Sequence, residues 1–391
     1  MLPVSYSLGN VVARPRRSLG MIVVVALVVV ACSLFLGLLS SLRRTVATTG
    51  DPMNLVVLRK GADNDGSSQI TRLAYDSIRY LDGIATGEAG ERLVSPELVV
   101  QPFFWTKEGG RENVLVRGVE PAAFDVHREV EITEGRTFRP RMGEALVGKA
   151  LRGRYQGAEV GQLLEFGRNQ WTVVGIFESN GSSFESEIWV DAADLSSDSR
   201  RMNPYSGVRL RAASEEDLLS LQARIDADPR YALEASRESE YYEKEAETAD
   251  SLNFLVVAIS ILAGMGAGFG AANTMYASVQ ARTAEIGTLR ALGFPRSAIL
   301  VSFQIESVVL SLAGFVLGAA LSLALAEVIR QLLGGVTFVA RTFTTNVVTL
   351  SITPADLLLA LGLSLAIGLL GGLGPAWRAA RLRPLEALRK A

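Results

Sequence analysis

Few side chains in this sequence stand where chemistry would need them. Gly143-Glu-Ala-Leu-Val-Gly148-Lys149-Ala150 is one residue from a phosphate-binding loop, in which backbone amides and a lysine cradle nucleotide phosphates. The last position of such a loop needs Ser or Thr to hold magnesium, and here it is Ala150. A strand running into a helix start explains the same residues without nucleotide. One histidine (His127) and one cysteine (Cys32) in 391 residues cannot supply a zinc cluster or an internal disulfide. Glu306 is an acid inside an apolar stretch, a place that often marks a proton path. It stands close to the start of its helix, where the helix dipole and interfacial water favour a carboxylate, and it reads as an interfacial anchor. The most informative pattern is Arg282-Thr-Ala-Glu285-Ile286-Gly287-Thr-Leu289-Arg290-Ala-Leu292-Gly293-Phe-Pro295-Arg296. It predicts a short helix ended by Gly293 and Pro295, with Ile286, Leu289 and Leu292 beside the charges Glu285 and Arg290. Such a helix suits a groove on a partner protein; lying on lipid is the other use of the same pattern.

The elements that must carry these residues follow from charge and hydropathy. The net charge is only −2, which argues against a nucleic-acid partner, but the average hides a segregation. Residues 43–250 carry 36 of the 41 acids and 26 of the 39 bases, whereas the rest of the chain holds 13 bases and 5 acids. Long uncharged runs accompany this asymmetry and exclude a purely soluble enzyme. Leu19 to Leu42 is uncharged and contains fifteen Leu, Ile, Val or Phe residues. At about −0.4 kcal/mol each, these favour the bilayer by roughly 6 kcal/mol. Residues 252–281, 299–326 and 354–374 complete four expected spans, the third interrupted only by Glu306. Arginines 14, 16 and 17, then 282, 290 and 296, then 378, 381, 383 and 389 with Lys390 flank one set of span ends. The positive-inside rule places segments 1–18, 282–298 and 375–391 in the cytoplasm, and residues 43–251 and 327–353 on the other side. Val29-Val30-Ala31-Cys32 resembles a lipoprotein cleavage box. The apolar run continues through Phe35, Leu36, Leu38 and Leu39, so a buried thiol within a helix is the preferred account of Cys32 and lipidation its rival.

The 208 residues from Arg43 to Asp250 suffice for a large domain or two small ones. Strands are expected at Asn54–Leu58, Leu98–Trp105, Val114–Val119, Val160–Gly161, Leu163–Phe166, Trp171–Phe177 and Glu187–Val190, with a turn at Gly167-Arg168-Asn169. Helices are expected at Gln69–Leu81 and after Ser214, which reads as an N-cap. The pattern is an α+β lobe made by the two ends, with a β-rich lobe inserted between them. Residues 239–253 lack Gly and Pro and run directly into the second span, which predicts a helical stalk. Gly264, Gly266, Gly268 and Gly270 inside that span have small-xxx-small spacing, which lets helix backbones approach closely within the chain or across a dimer.

The segment Arg282-Thr-x-Glu285-Ile286-Gly287-x-Leu289-Arg290-Ala-x-Gly293 resembles the signature of the FtsX-like permeases of ABC transporters. Phe303-x-x-Glu306-Ser307 and the tail Gly374-Pro375-Ala-x-x-Ala379-Ala380-Arg381-x-x-Pro384-Leu385-Glu386-Ala387-Leu388-Arg389 extend the match. Glu134-Gly135-Arg136, Val160-Gly161 and Trp171-Thr-Val-Val-Gly175-Ile are similar to the macrolide-exporter (MacB) type of that family. The resemblance implies four transmembrane helices and a large extracytoplasmic domain with a Porter-like lobe and an inserted Sabre-like lobe. It also implies a bacterial inner-membrane location and a second permease, identical or paralogous. Glu285, Ile286, Leu289, Arg290, Leu292 and Gly293 would couple to separate ATPase subunits, which hold ATP and Mg; the chain itself would be no enzyme and carry no cofactor or metal. Macrolide exporters fuse the ATPase to the N-terminus, whereas residue 1 here stands just before Leu8, Val11 and Val12. Efflux in a tripartite pump, with a periplasmic adaptor and an outer-membrane channel, is the expected use. Lipoprotein extraction of the LolCDE type and regulation of cell-wall hydrolases are the alternatives.

Overall fold

The computed structural model describes residues 15–88, 90–201, 203–333, 335–339 and 345–382. Most of the expected amphipathic segment 1–18 and the tail motif from 383 onward lie outside the described residues. Two compact units divide the chain: Met1–Ser41 with Asp250–Leu332 and Leu350–Ala391, and Leu42–Ala249 with Leu333–Thr349.

The elements run in order from a long helix α1 (Pro15–Ala47) to β1 (Asn54–Arg59), α2 (Arg72–Ile78), β2 (Val94–Val100), β3 (Phe103–Trp105), β4 (Arg111–Asn113) and β5 (Leu115–Val119). After one helical turn at Ala123–Val126 come β6 (Glu131–Gly135), β7 (Glu144–Gly148), β8 (Leu163–Phe166), β9 (Asn169–Glu178) and β10 (Glu187–Asp191). Then follow α3 (Ala192–Ser199), β11 (Gly207–Arg211), α4 (Glu215–Asp226) and β12 (Leu233–Arg237). The remainder is α5 (Glu238–Ala281), α6 (Thr283–Ala291), α7 (Arg296–Leu333), the hairpin β13 (Val336–Val339) and β14 (Thr345–Val348), and α8 (Pro354–Ala380).

The large unit is an α+β domain built on one ten-stranded sheet in the order β12-β1-β11-β2-β5-β10-β7-β9-β6, with β8 paired to β9. One sheet therefore runs through both expected lobes, joined where Leu98 of β2 faces Gly118 of β5. Strand β1 shows why its sequence is apolar throughout. Leu55 and Val57 enter a core with Ile78, Leu218 and Leu221, while Val56 and Leu58 enter another with Phe177, Phe184 and Trp189. A strand buried on both faces needs no polar alternation. A third core under the inserted strands gathers Val147, Leu164, Trp171 and Ile188.

Several boundaries differ from the sequence expectation for local reasons. Helix α2 is shorter than Gln69–Leu81, because Thr71 caps it by accepting from the Ala74 amide and Ile70 is instead bridged to Tyr205. The stretch Leu98–Trp105 splits into β2 and β3 around Pro102, which has no amide to donate. Val160 and Gly161 form a turn, with Gly161 at φ +85°. Ser214 does cap α4 by accepting from the Asp217 amide. The near-phosphate loop is strand β7 followed by a tight turn, and Lys149 pairs with Glu178 at 2.7 Å. The loop 327–353 contributes the β13–β14 hairpin to the large unit, where the Val347 amide donates to Ser186 Oγ at 2.9 Å.

In the helical unit, four helices among the described residues are long and apolar enough to cross a membrane: Ser18–Ala47, Phe254–Ala281, Arg296–Leu332 and Pro354–Ala380. Their shared core takes Met21, Val25 and Val29 from α1, Ala267, Ala271 and Met275 from α5, Ile299 and Phe303 from α7, and Ala360 and Ile367 from α8. Helix α5 is one unbroken element of 44 residues, roughly 66 Å long at helical rise and about twice the thickness of a hydrocarbon core. Helix α8 starts on a full capping box between Thr353 and Asp356, with Pro354 in its first turn. Cys32 is buried within α1.

Candidate functional site

The segment between α5 and α7 folds as the sequence demands, and its end is specified in detail. The Gly293 amide donates to Arg290 O and the Phe294 amide to Leu289 O, with Gly293 at φ +94°. That is a Schellman stop, and glycine is the residue that occupies its left-handed position without a Cβ penalty. Arg290 reinforces it by donating from Nη1 to Phe294 O at 3.0 Å. Pro295 then precedes the first turn of α7.

Burial separates the six predicted residues into two sets. Ile286 is 1% exposed and sits among Met275, Val279, Ile299 and Phe303, and Leu289 packs partly against the same core. These two anchor α6 to its own bundle. Leu292 is 72% exposed and Gly293 lies open beside it, while Glu285 and Arg290 are half-buried. The face left for another surface thus runs along Thr288, Ala291, Leu292 and Gly293.

Beneath α6 lies a buried ion arrangement. Arg282, immediately before the helix, donates from Nε to Glu285 Oε2 and from Nη1 to Glu306 Oε2, both at 2.9 Å. Its guanidinium lies 5.0 Å from the centre of the Phe303 ring. Glu306, expected at the interface beside water and the helix dipole, is instead buried, and its carboxylate holds Arg282.

The glycine set in α5 divides as well. A Cβ at Gly264 would meet Leu363 at 2.8 Å, and a Cβ at Gly371 would meet Gly268 O at 2.9 Å, so α5 and α8 approach closely there. Gly266 meets nothing within 4 Å, and Gly270 only Val24 at 3.7 Å. Another close small-xxx-small contact is one the sequence reading did not single out. A Cβ at Gly314 would lie 2.7 Å from Val25, and one at Gly318 would lie 2.7 Å from Ala26 O and Val29, locking α7 to α1. Between α7 and α8 the seam is polar: Ser307 Oγ donates to Gly368 O at 2.7 Å and Ser364 Oγ to Ser311 O at 2.8 Å.

The large domain hides a second cluster that composition could not reveal. Arg117 and Arg209 are fully buried. Arg117 reaches Glu97 and Glu187 at 2.6 Å, and Arg209 reaches Asp65 at 2.6 Å and Glu97 at 2.9 Å. Burial opposes ionisation of Glu97, but Arg209, Arg117 and His127 outweigh it and hold its carboxyl well below the usual range. The available signal was a charge in the middle of an apolar strand, as in Leu115-Val-Arg117-Gly-Val119. Among the described residues no group of three His, Cys, Asp or Glu side chains is arranged to hold a metal ion.

The family models match on both sides of this geometry. The MacB-like periplasmic core domain matches residues 18–228 and the FtsX-like permease C-terminal region matches residues 257–384. Curated relatives include the macrolide export ATP-binding/permease protein MacB of Bdellovibrio bacteriovorus, 26% identical over 97% of this chain and 60% of the relative. The MacB 2 protein of Aeromonas hydrophila is 30% identical over 67% of this chain and 38% of its own length. The pyoverdine export ATP-binding/permease protein PvdT of Pseudomonas entomophila is 29% identical over 62% and 37%. This chain therefore spans 60% or less of these three relatives. Among solved structures, the periplasmic region of MacB from Actinobacillus actinomycetemcomitans aligns over 53% of this chain and 97% of its own, at 10% identity and a TM-score of 0.38. The extracellular domain of the transporter YknZ aligns over 47% and 100%, at 16% identity and a TM-score of 0.36. With four apolar helices, a large α+β domain and both family regions in order, the chain belongs to the MacB-like, FtsX-type permeases of ABC transporters.

Proposed function

We propose that this permease is a lever between cytoplasmic ATPases and an extracytoplasmic domain, and that it works in export. The observation that carries the reading is α6: a short helix fixed from below by Ile286 and the Arg282–Glu306 pair, with Leu292 and its neighbours left open on the other face. A surface held rigidly and left uncovered can pass a push to the bundle. Helix α5 continues without Gly or Pro from residue 239 to residue 253, so displacement of its apolar part is carried into the segment that begins at Glu238.

In this reading the arginines at 282, 290 and 296 lie on the cytoplasmic side, as do both termini, and the large domain lies beyond the inner membrane. ATP and magnesium are held by a partner ATPase pair that docks on α6, and a second permease, identical or paralogous, completes the membrane part. The export named for the relatives from Bdellovibrio and Pseudomonas supports efflux, with a periplasmic adaptor protein and an outer-membrane channel as further partners. Affinity purification with mass spectrometry of co-purifying proteins tests it. An ATPase together with a periplasmic adaptor is expected. A lipoprotein carrier or a cell-wall hydrolase in place of the adaptor overturns efflux, and absence of any ATPase overturns the lever.

A further inference from the structure

The first turn of α5 is seated on the buried ion cluster of the large domain. Glu238 is fully buried, and its Oε2 accepts from Asn54 Nδ2 at 2.9 Å and from the Asp51 amide at 3.1 Å. Its other oxygen, Oε1, has no hydrogen-bond partner. It faces His127 Nδ1 at 3.8 Å and Arg209 Nε at 3.7 Å. His127 is also fully buried, packed edge-on against Phe184 and Trp189 with ring centres 4.9 and 5.4 Å away. Its Nε2 lies 2.8 Å from Glu97 Oε1. Its Nδ1 has no partner and faces, besides Glu238, the equally unpartnered Glu129 Oε1 at 3.9 Å.

Four buried atoms without partners, His127 Nδ1, Glu129 Oε1, Glu238 Oε1 and Arg209 Nε, therefore gather at one place, and the chemistry of the ring indicates what joins it to the carboxylates. A neutral imidazole that donates its Nε2 hydrogen to Glu97 would turn the Nδ1 lone pair toward two carboxylates, a repulsive arrangement with nothing to satisfy it. The imidazolium carries a hydrogen on each nitrogen and can serve Glu97 and Glu238 together. The charge count agrees. Asp65, Glu97, Glu187 and Glu238 set four carboxylates against Arg117 and Arg209, and protonation of His127 reduces the excess of negative charge from two to one.

We propose that His127 is a proton-operated latch at the root of α5: protonated, it ties Glu238 in the first turn of that helix to Glu97 of β2, and deprotonated, it releases the turn. His127 is thus a positioning residue for the helix, and the inference stands whether or not an ATPase drives the chain. The groups that face the ring are Glu97 from β2, Glu238 from α5 and Glu129 from the following loop, and Arg209 of β11 faces the same Glu238 oxygen. Burial disfavours the imidazolium, but Glu97 first, then Glu238 and Glu129, outweigh it and raise the histidine above its ordinary value. A raised histidine keeps its stabilising charge below the ordinary value and loses it as pH rises through the raised one, so the latch closes toward acid and opens toward alkali.

His127 is the only histidine in the chain, which makes the test direct. The full chain, purified without a histidine tag and placed in lipid nanodiscs, is labelled with ¹⁵N-histidine and titrated from about pH 5 to about pH 9. Amide hydrogen exchange of residues 238–242 is followed in parallel and corrected for intrinsic base catalysis. The expected result is an imidazolium with a midpoint above about 6.5, and a loss of exchange protection in the first turn of α5 at the same midpoint. Glu238→Gln should lower both midpoints together by about one unit or more. A neutral ring below about pH 6 in the folded wild-type protein overturns the latch. So does exchange in the first turn that stays level while the ring titrates.

Discussion

Arg282 and Glu306, 24 residues apart in sequence, meet at 2.9 Å with side chains 4% and 8% exposed. The pair ties the residue before α6 to the third turn of α7, so a helix whose end exposes Leu292 is held by a buried charge contact. A buried ion pair is weak evidence of stabilisation in itself, because both groups lose hydration; removing one partner alone is the costly change.

Glu306→Ala should therefore destabilise the helical unit by about 3–5 kcal/mol, since it leaves the Arg282 charge buried. The double variant Arg282→Met with Glu306→Leu should recover most of that loss. Unfolding of the purified chain in detergent micelles measures both. If the single and double variants unfold alike, the pair does not organise this end of the bundle.

The open face of α6 predicts a separation of stability from coupling. Leu292→Asp touches no core contact and should shift stability by no more than about 0.5 kcal/mol, while it abolishes stimulation of the proposed ATPase partner. Arg290→Glu should also uncouple, with a larger effect on local order because Arg290 holds Phe294 O. Glu285→Lys belongs to the same set but sets a lysine against buried Arg282. ATPase assays of reconstituted complexes, with membrane insertion checked separately, decide the matter; wild-type coupling in Leu292→Asp would leave that face without a partner.

Glycine substitutions should rank by contact. Gly318→Leu forces a side chain into Val29 and the Ala26 carbonyl, and should cost about 1–3 kcal/mol or more through overpacking. Gly266→Ala meets open space, and should be neutral or stabilising by roughly 0.5–1 kcal/mol through helix propensity. Thermal unfolding of the two variants should show opposite signs.

The unbroken α5 separates a lever from a channel. A Gly-Pro insertion near Ala249 removes a backbone donor and should cost roughly 3 kcal/mol of local helix stability. The variant should still bind the proposed ATPase partner yet lose the proposed export. Full export, with the interruption verified by hydrogen exchange, would remove the lever reading.

The large domain should have a stability optimum bounded on both sides. Glu97 is held below its ordinary value, so its contribution is present above about pH 4.5 and is lost as pH falls further. His127 and Glu129 are raised, Glu129 chiefly by burial, so their contributions fall as pH rises through their folded values. Glu97→Gln should cost about 3–5 kcal/mol by leaving Arg117 and Arg209 short of a counter-charge. Denaturant titrations at stepped pH, followed by tryptophan fluorescence, would show the optimum; a flat profile would mean that the cluster does not titrate with folding.

Much of this protein was legible because it is written locally. Four spans follow from runs of apolar residues, and the paired strands β8 and β9 from alternation around Gly167-Arg168. The cap at Ser214 and the stop at Gly293 follow from residue types that only certain backbone conformations accept. The signature from Arg282 to Gly293 was likewise readable as a pattern. Its inward and outward faces were not, since Ile286, Leu289 and Leu292 are equally apolar on paper and only packing against Val279 and Phe303 sorts them.

What the tertiary structure alone decided depends on residues far apart in the chain. Gly314-x-x-x-Gly318 has the same spacing as the glycines of α5, yet only the approach of Val25 and Val29 makes it a tight contact. The hairpin around Val336 and Val347 belongs to the large domain because Ser186 accepts from it, 161 positions earlier. The buried cluster draws Asp65, Glu97, Arg117, His127, Glu187, Arg209 and Glu238 from separate strands, loops and helices. Sequence alone determined most of the elements and the four apolar spans, because hydropathy and backbone preference act over a few residues. Which charges are buried together, and which glycines touch, was left to the fold, because strand order and helix crossing bring within ångströms partners that lie from 20 to more than a hundred residues apart.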